Sequence, residues 1–169
     1  MPALQVSDFV GKWQVATDQP TKLALQPYID KYVPFYLAKL LGATLSDDLI
    51  TDIGGGSAPT DPILVLIWQP FQKDGDCGEL HISEGIKAYL LGLVYWHWMT
   101  DKRVNVNPVS GTSSAKTENT VNRHVPEPQI YSRWNESVET LKAIHWFICK
   151  NSGDYPDFNG QDLLYNSYL

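Results

Sequence analysis

Histidine is the side chain most able to move a proton or hold a polar group near neutral pH, and the chain has four: His81, His97, His124 and His145. His97 stands between Trp96 and Trp98, and His145 precedes Trp146. Read as strands, alternation puts Tyr95, His97 and Met99 on one face and Leu141, Ala143, His145 and Phe147 on another. Two histidines facing one cavity can bind a polar ligand group or act as acid and base. The competing reading is two histidines hydrogen-bonded in a packed core or at a surface. Arg133 is the one arginine inside an expected strand, on a face shared with Tyr131 and Asn135. If buried it needs an anionic partner, from the protein or from a ligand carboxylate; on the surface it needs none.

Other chemistries find little support. No His-x-His or His-x-x-x-His spacing is present to build a zinc site of three or four ligands. Gly-x-Ser-x-Gly, P-loop and His-Glu-x-x-His motifs are absent. Gly54-Gly55-Gly56 lacks the spacing of a phosphate cradle and reads as a loop. Asp74 and Asp76 flank Gly75, but no glutamate closes a calcium loop, so a hairpin turn explains them. No cofactor and no metal is therefore expected.

The elements that position these residues sit in a chain of 169 residues, which fits one domain, 1–169. Thirteen basic against nineteen acidic residues give a net charge of −6, with the basic residues scattered singly and only Lys102-Arg103 adjacent. That excludes the basic stripe of a nucleic-acid binder and disfavours docking on anionic lipid. Residues 63–68 are the longest aliphatic run, far short of the ~20 residues of a membrane span, so no membrane insertion is expected. The first eight residues lack the basic and apolar regions of a signal peptide, which points to the cytoplasm. Cys77 and Cys149 then read as free, partly buried thiols.

Along the chain, 7–16 alternates as a strand through Phe9, Gly11, Trp13 and Val15. Residues 22–43 have helical spacing, with Pro27 and Pro34 in the first turns of two short helices and Gly42 as the stop; one kinked helix is the alternative. Residues 54–60 and 107–120 are loops. Beyond them, 63–71 and 79–83 read as strands around Asp74-Gly75, 129–134 and 138–149 as a second hairpin, and 163–169 as a closing strand; 86–99 fits a strand or a helix, and Val94, Tyr95, Trp96 and Trp98 favour the strand. Such a chain must cover its strand edges, and closure into a barrel does so.

Phe9-Val-Gly-Lys-Trp13, two short helices, a hairpin around Lys73-Asp-Gly75 and Gln129–Glu136 ending in Trp-Asn together resemble the fatty-acid-binding protein and lipocalin (calycin) superfamily. The resemblance implies a mainly β fold, a closed antiparallel lipocalin-like barrel with two lid helices and Trp13 buried at its closed end; an α+β or β-sandwich domain is the alternative. It also implies a carrier of a small hydrophobic molecule. The chain is a few tens of residues longer than that family, and its tail, Leu164–Tyr168, lacks the family's carboxylate-gripping arginine. Tyr32, Phe35 and Tyr36 from the lid, with Tyr95, His97, Tyr131, Arg133 and His145 from the barrel, are the expected pocket lining. A cofactor-free isomerase, cyclase or hydrolase using the histidines, and an interaction or sugar-binding protein with exposed aromatics, are the other function classes. The sequence assigns no oligomeric state.

Overall fold

The structure, a computed structural model, describes residues 3–16, 18–54, 56, 58–106 and 127–160. It is not a barrel. Two 3-10 turns, Val6–Asp8 and Gly11–Trp13, are followed by helices α1 (Gln19–Leu41), α2 (Ala43–Ile53) and α3 (Pro62–Trp68). A two-stranded hairpin of β1 (Phe71–Asp74) and β2 (Leu80–Ser83) leads into the long helices α4 (Gly85–Val106) and α5 (Glu127–Lys150). Among the described residues this hairpin is the whole of the sheet. The expected closing strand over 163–169, the loop over 107–120 and His124 lie outside the described residues.

α1 starts where Asp18 accepts a hydrogen bond from the Thr21 N–H at 3.0 Å. Leu25, Ile29, Val33, Leu37 and Leu40 bury one stripe of it. It is one helix rather than two, although Pro27 and Pro34 lie in its interior. Each proline removes an N–H that would bond the carbonyl four residues back, on Leu23 and Asp30. Both of those residues are exposed, so water can satisfy the freed oxygens. Gly42 ends the helix at φ +83, and a Cβ there would stand 2.9 Å from the Asn159 carbonyl carbon. α2 follows directly, burying Leu45, Leu49 and Ile53.

The strand expected over 7–16 is two 3-10 turns, and α3 replaces most of the strand expected over 63–71. Asp61 caps it by accepting from the Ile63 N–H at 2.8 Å, with Pro62 in the first turn. Asp52 ties α2 to this cap, accepting from the Thr60 hydroxyl and the Thr60 and Asp61 N–H groups. The Asp74-Gly75 hairpin is present, with Phe71 paired to Ser83 and Asp74 to Leu80. Phe71 meets Phe147 at 4.9 Å and His81 stacks on Trp146 at 3.9 Å, which lays the hairpin on α5. The opposite face leaves Leu80 and Ile82 exposed.

α4 overturns the strand expected over 86–99. It buries Ile86, Tyr89, Leu90, Leu91, Leu93, Val94, Tyr95 and Trp98, so it is apolar nearly all round. A helix enclosed by α1, α3 and α5 has no polar face to reveal its period. α5 overturns the second hairpin: Ile130, Trp134, Ser137, Val138, Leu141, Ile144 and Ile148 are buried at helical spacing. α4 and α5 approach closely at Gly92, where a Cβ would fall 1.9 Å from the Ser137 hydroxyl oxygen. Side chains from every helix join one core cluster. No helix among the described residues is long and apolar enough to cross a membrane. Cys77 and Cys149 are free, as expected, but exposed rather than partly buried.

Candidate functional site

A concavity that could take a ligand lies between the N-terminal turns and the α3–α4 corner. It measures about 750 Å³ and is walled by Val10, Trp13, Trp68, Pro70, Ala88 and Leu91. Leu4 and Phe9 are buried and anchor the N-terminal segment over the bundle. Gly11, at φ +62, turns the chain so that Lys12 and Trp13 reach the rim. Trp68, from the last turn of α3, is 4% exposed and forms the floor. Trp13 is only partly buried, with the Lys12 ammonium 4.7 Å from its ring centroid.

The rim is charged but internally balanced. Lys12 Nζ lies 2.5 Å from Glu84 Oε2 and 2.8 Å from Glu136 Oε2. Arg133 Nη1 donates to Glu136 Oε1 at 2.5 Å. Burial tends to raise the Glu136 pKa, but the hydrogen bonds from Lys12 and Arg133 prevail and hold it below the usual carboxylate range. On the other side Lys87 donates to Asp8 Oδ1 at 2.8 Å. These pairs tie the N-terminal turns to α4 and α5. Ser7 and Gln69 bring exposed polar side chains to the same cleft.

None of the eight residues expected to line a pocket belongs to this cleft. Four of them do assemble elsewhere, on the seam of α1 and α4. The Tyr36 hydroxyl is 2.7 Å from His97 Nε2, and the Tyr32 ring stacks on the His97 imidazole at 3.7 Å and 5°. Phe35 packs edge-on against Tyr36 and is 48% exposed, beneath the Lys39 ammonium. The other four are dispersed. Tyr95 is buried, and burial raises its pKa against the pull of Arg133. Tyr131 and Arg133 sit two apart on α5, where two residues turn about 200° and no longer share a face. The anion Arg133 needs is Glu136, supplied by the protein. His145 lies near the end of α5, its Nδ1 3.7 Å from Cys149 Sγ and its ring 5.6 Å from Phe158.

The residues missed were Lys12, Trp68, Glu84, Lys87 and Leu91. The carboxylates and lysines recur singly along the chain and carry no spacing signal. Comparison with protein-family models, curated proteins and solved structures finds no match. Nothing in these comparisons supports the calycin resemblance, and Gly11-Lys12-Trp13, its opening motif, is a 3-10 turn.

His97 gives a pH prediction. Burial lowers its pKa to about 4, with Asp101 opposing and Lys31 assisting. The unfolded chain therefore takes up a proton on this residue below about pH 6.5 while the folded chain does not. Stability from this group is complete above about pH 6.5 and is lost progressively as pH falls toward 4. The ring is only half-buried, so solvent screening limits the loss to about 1–2 kcal/mol. Urea unfolding at pH 7.5 and 4.5 should show a smaller difference for His97→Phe than for the wild type by that amount. Equal differences in the two proteins would refute the assignment.

Proposed function

We propose that this protein is a binding domain that holds a small, mainly apolar and uncharged molecule in the cleft beneath its N-terminal turns. The observation that carries this reading is the pairing of apolar walls with a charge-balanced rim. A volume of about 750 Å³ is within the usual span of small-molecule sites, and Val10, Trp13, Trp68, Pro70 and Leu91 supply the walls. Lys12 and Lys87 already hold carboxylates of the protein, so an ionic ligand would have to displace an existing pair. Ser7 and Gln69 are the polar groups available to orient a neutral one. The expectation of a hydrophobic ligand is kept; the barrel that was to hold it is not.

Native mass spectrometry of the purified protein should reveal a bound small molecule or a site open to one. A neutral solvatochromic dye, Nile red, should bind with a Kd in the micromolar range, about −8 kcal/mol. The anionic dye anilinonaphthalene sulfonate should bind at least about tenfold more weakly, a difference of about 1.4 kcal/mol. If the anionic dye bound equally well, the balanced rim would not be selecting the ligand. If neither dye bound, the cleft would not be a binding site for apolar molecules.

A further inference from the structure

We propose that Tyr36 and His97 form a proton-coupled redox site, where one-electron oxidation of the protein comes to rest as a neutral tyrosyl radical on Tyr36, reached from the surface through Tyr28 and Tyr32. The ligand cleft plays no part in this proposal.

Removing an electron from a phenol makes its O–H strongly acidic, so oxidation is favourable only where a base stands ready to take the proton. Tyr36 is 5% exposed, and its hydroxyl is 2.7 Å from His97 Nε2. With the imidazole proton on Nδ1, the phenol donates to the Nε2 lone pair. The same burial that lowers the His97 pKa to about 4 keeps that lone pair free at neutral pH. Tyr32 stacks flat on the imidazole and fixes its orientation.

The path to the surface follows from helical spacing. Tyr28, Tyr32 and Tyr36 are four apart on α1 and share a face. Their successive ring centroids are 6.1 Å apart, and Tyr36 continues inward to Tyr89 at 6.3 Å. Tyr28 and Tyr32 are half-buried and reach solvent. Tyr28 has a proton acceptor of its own, donating to Asp101 Oδ2 at 2.8 Å. Tyr32 is a poorer resting place, because the Lys31 ammonium lies 4.7 Å from its ring centroid and opposes a positive hole.

The step balances as follows. An outer-sphere one-electron oxidant, too large to reach the buried oxygen, takes one electron and is reduced by one. The electron is supplied by Tyr36 through the ring row. The Tyr36 O–H bond breaks and an N–H bond forms at His97 Nε2, giving a neutral phenoxyl radical beside an imidazolium. Return of one electron and the same proton restores the pair.

The test is flash oxidation of the whole protein with tris(bipyridine)ruthenium(II) and persulfate, read by electron paramagnetic resonance and transient absorption. The wild type should give a long-lived phenoxyl signal. Tyr36→Phe should abolish the long-lived component. His97→Gln, which keeps the tyrosine and loses the base, should shorten its lifetime or lower its yield by about tenfold or more. Incorporation of 3,5-difluorotyrosine at position 36, which leaves the packing nearly intact, should change the hyperfine pattern of the signal. An unchanged pattern with the fluorinated residue, or a signal indifferent to His97→Gln in a folded protein, would overturn the proposal.

Discussion

Gly85→Ala should destabilise the protein by about 3–5 kcal/mol, the range reached when backbone strain and a steric clash combine. Gly85 joins β2 to α4 at φ +86, a conformation in which an L side chain is strained. A Cβ there would also stand 2.3 Å from the Trp68 carbonyl oxygen and 2.8 Å from the Gln69 carbonyl carbon. These are backbone atoms and cannot swing aside. Relief would require α3 and α4 to part where Trp68 floors the cleft. For a chain of this size the melting temperature should fall by roughly 10 °C. Gly78 is the control. Its φ is +82 but nothing lies within 4 Å of its would-be Cβ. Gly78→Ala should cost only the conformational part, about 1–2 kcal/mol. Equal losses at the two glycines would show that the close approach at Gly85 is absent.

Trp68→Ala should cost about 3–5 kcal/mol, whereas Trp13→Ala should cost about 1–2 kcal/mol. The difference is burial: Trp68 is 4% exposed within the core cluster, and Trp13 is a partly buried ring against its edge. The Gly-x-Trp strand reading makes Trp13 the buried ring and leaves Trp68 unassigned, so equilibrium unfolding of both variants separates the two accounts. If Trp13→Ala cost as much as Trp68→Ala, the Trp13 ring would be part of the core rather than the wall of a cleft.

Part of this fold was legible in the residues. The helical stripe of α1, its stop at Gly42 and the Asp74-Gly75 hairpin all follow from local rules that tertiary packing does not override. α5 was legible too, since Ile130, Trp134, Val138, Leu141, Ile144 and Ile148 keep a helical period. Asn135-Glu136 resembles a turn and suggests a hairpin; in the helix both are half-buried, and Glu136 turns toward Lys12. α4 is a different case. Its β-branched and aromatic residues favour a strand locally, and enclosure on nearly every side erases the amphipathic signal that would have corrected this.

Site legibility divides in the same way. Tyr32, Tyr36 and His97 were singled out by residue type, and the structure does bring them together, although through a helix–helix seam rather than a barrel interior. The cleft depends on which distant residues meet. Glu84 and Glu136 are separated by 72 and 124 positions from Lys12, and no local spacing rule joins them. Only the packing of the N-terminal turns over α4 and α5 does so.

The central claim is that the N-terminal cleft holds a small apolar ligand, and Ala88→Trp tests it most directly. Ala88 faces the cleft from α4, so an indole there would occupy space that is open in the wild type rather than overpack the core. Fluorescence titration with Nile red should show affinity falling by about a hundredfold, or about 2.7 kcal/mol, while the melting temperature moves by less than about 4 °C. Wild-type affinity in a folded Ala88→Trp protein would place the ligand elsewhere and contradict the account.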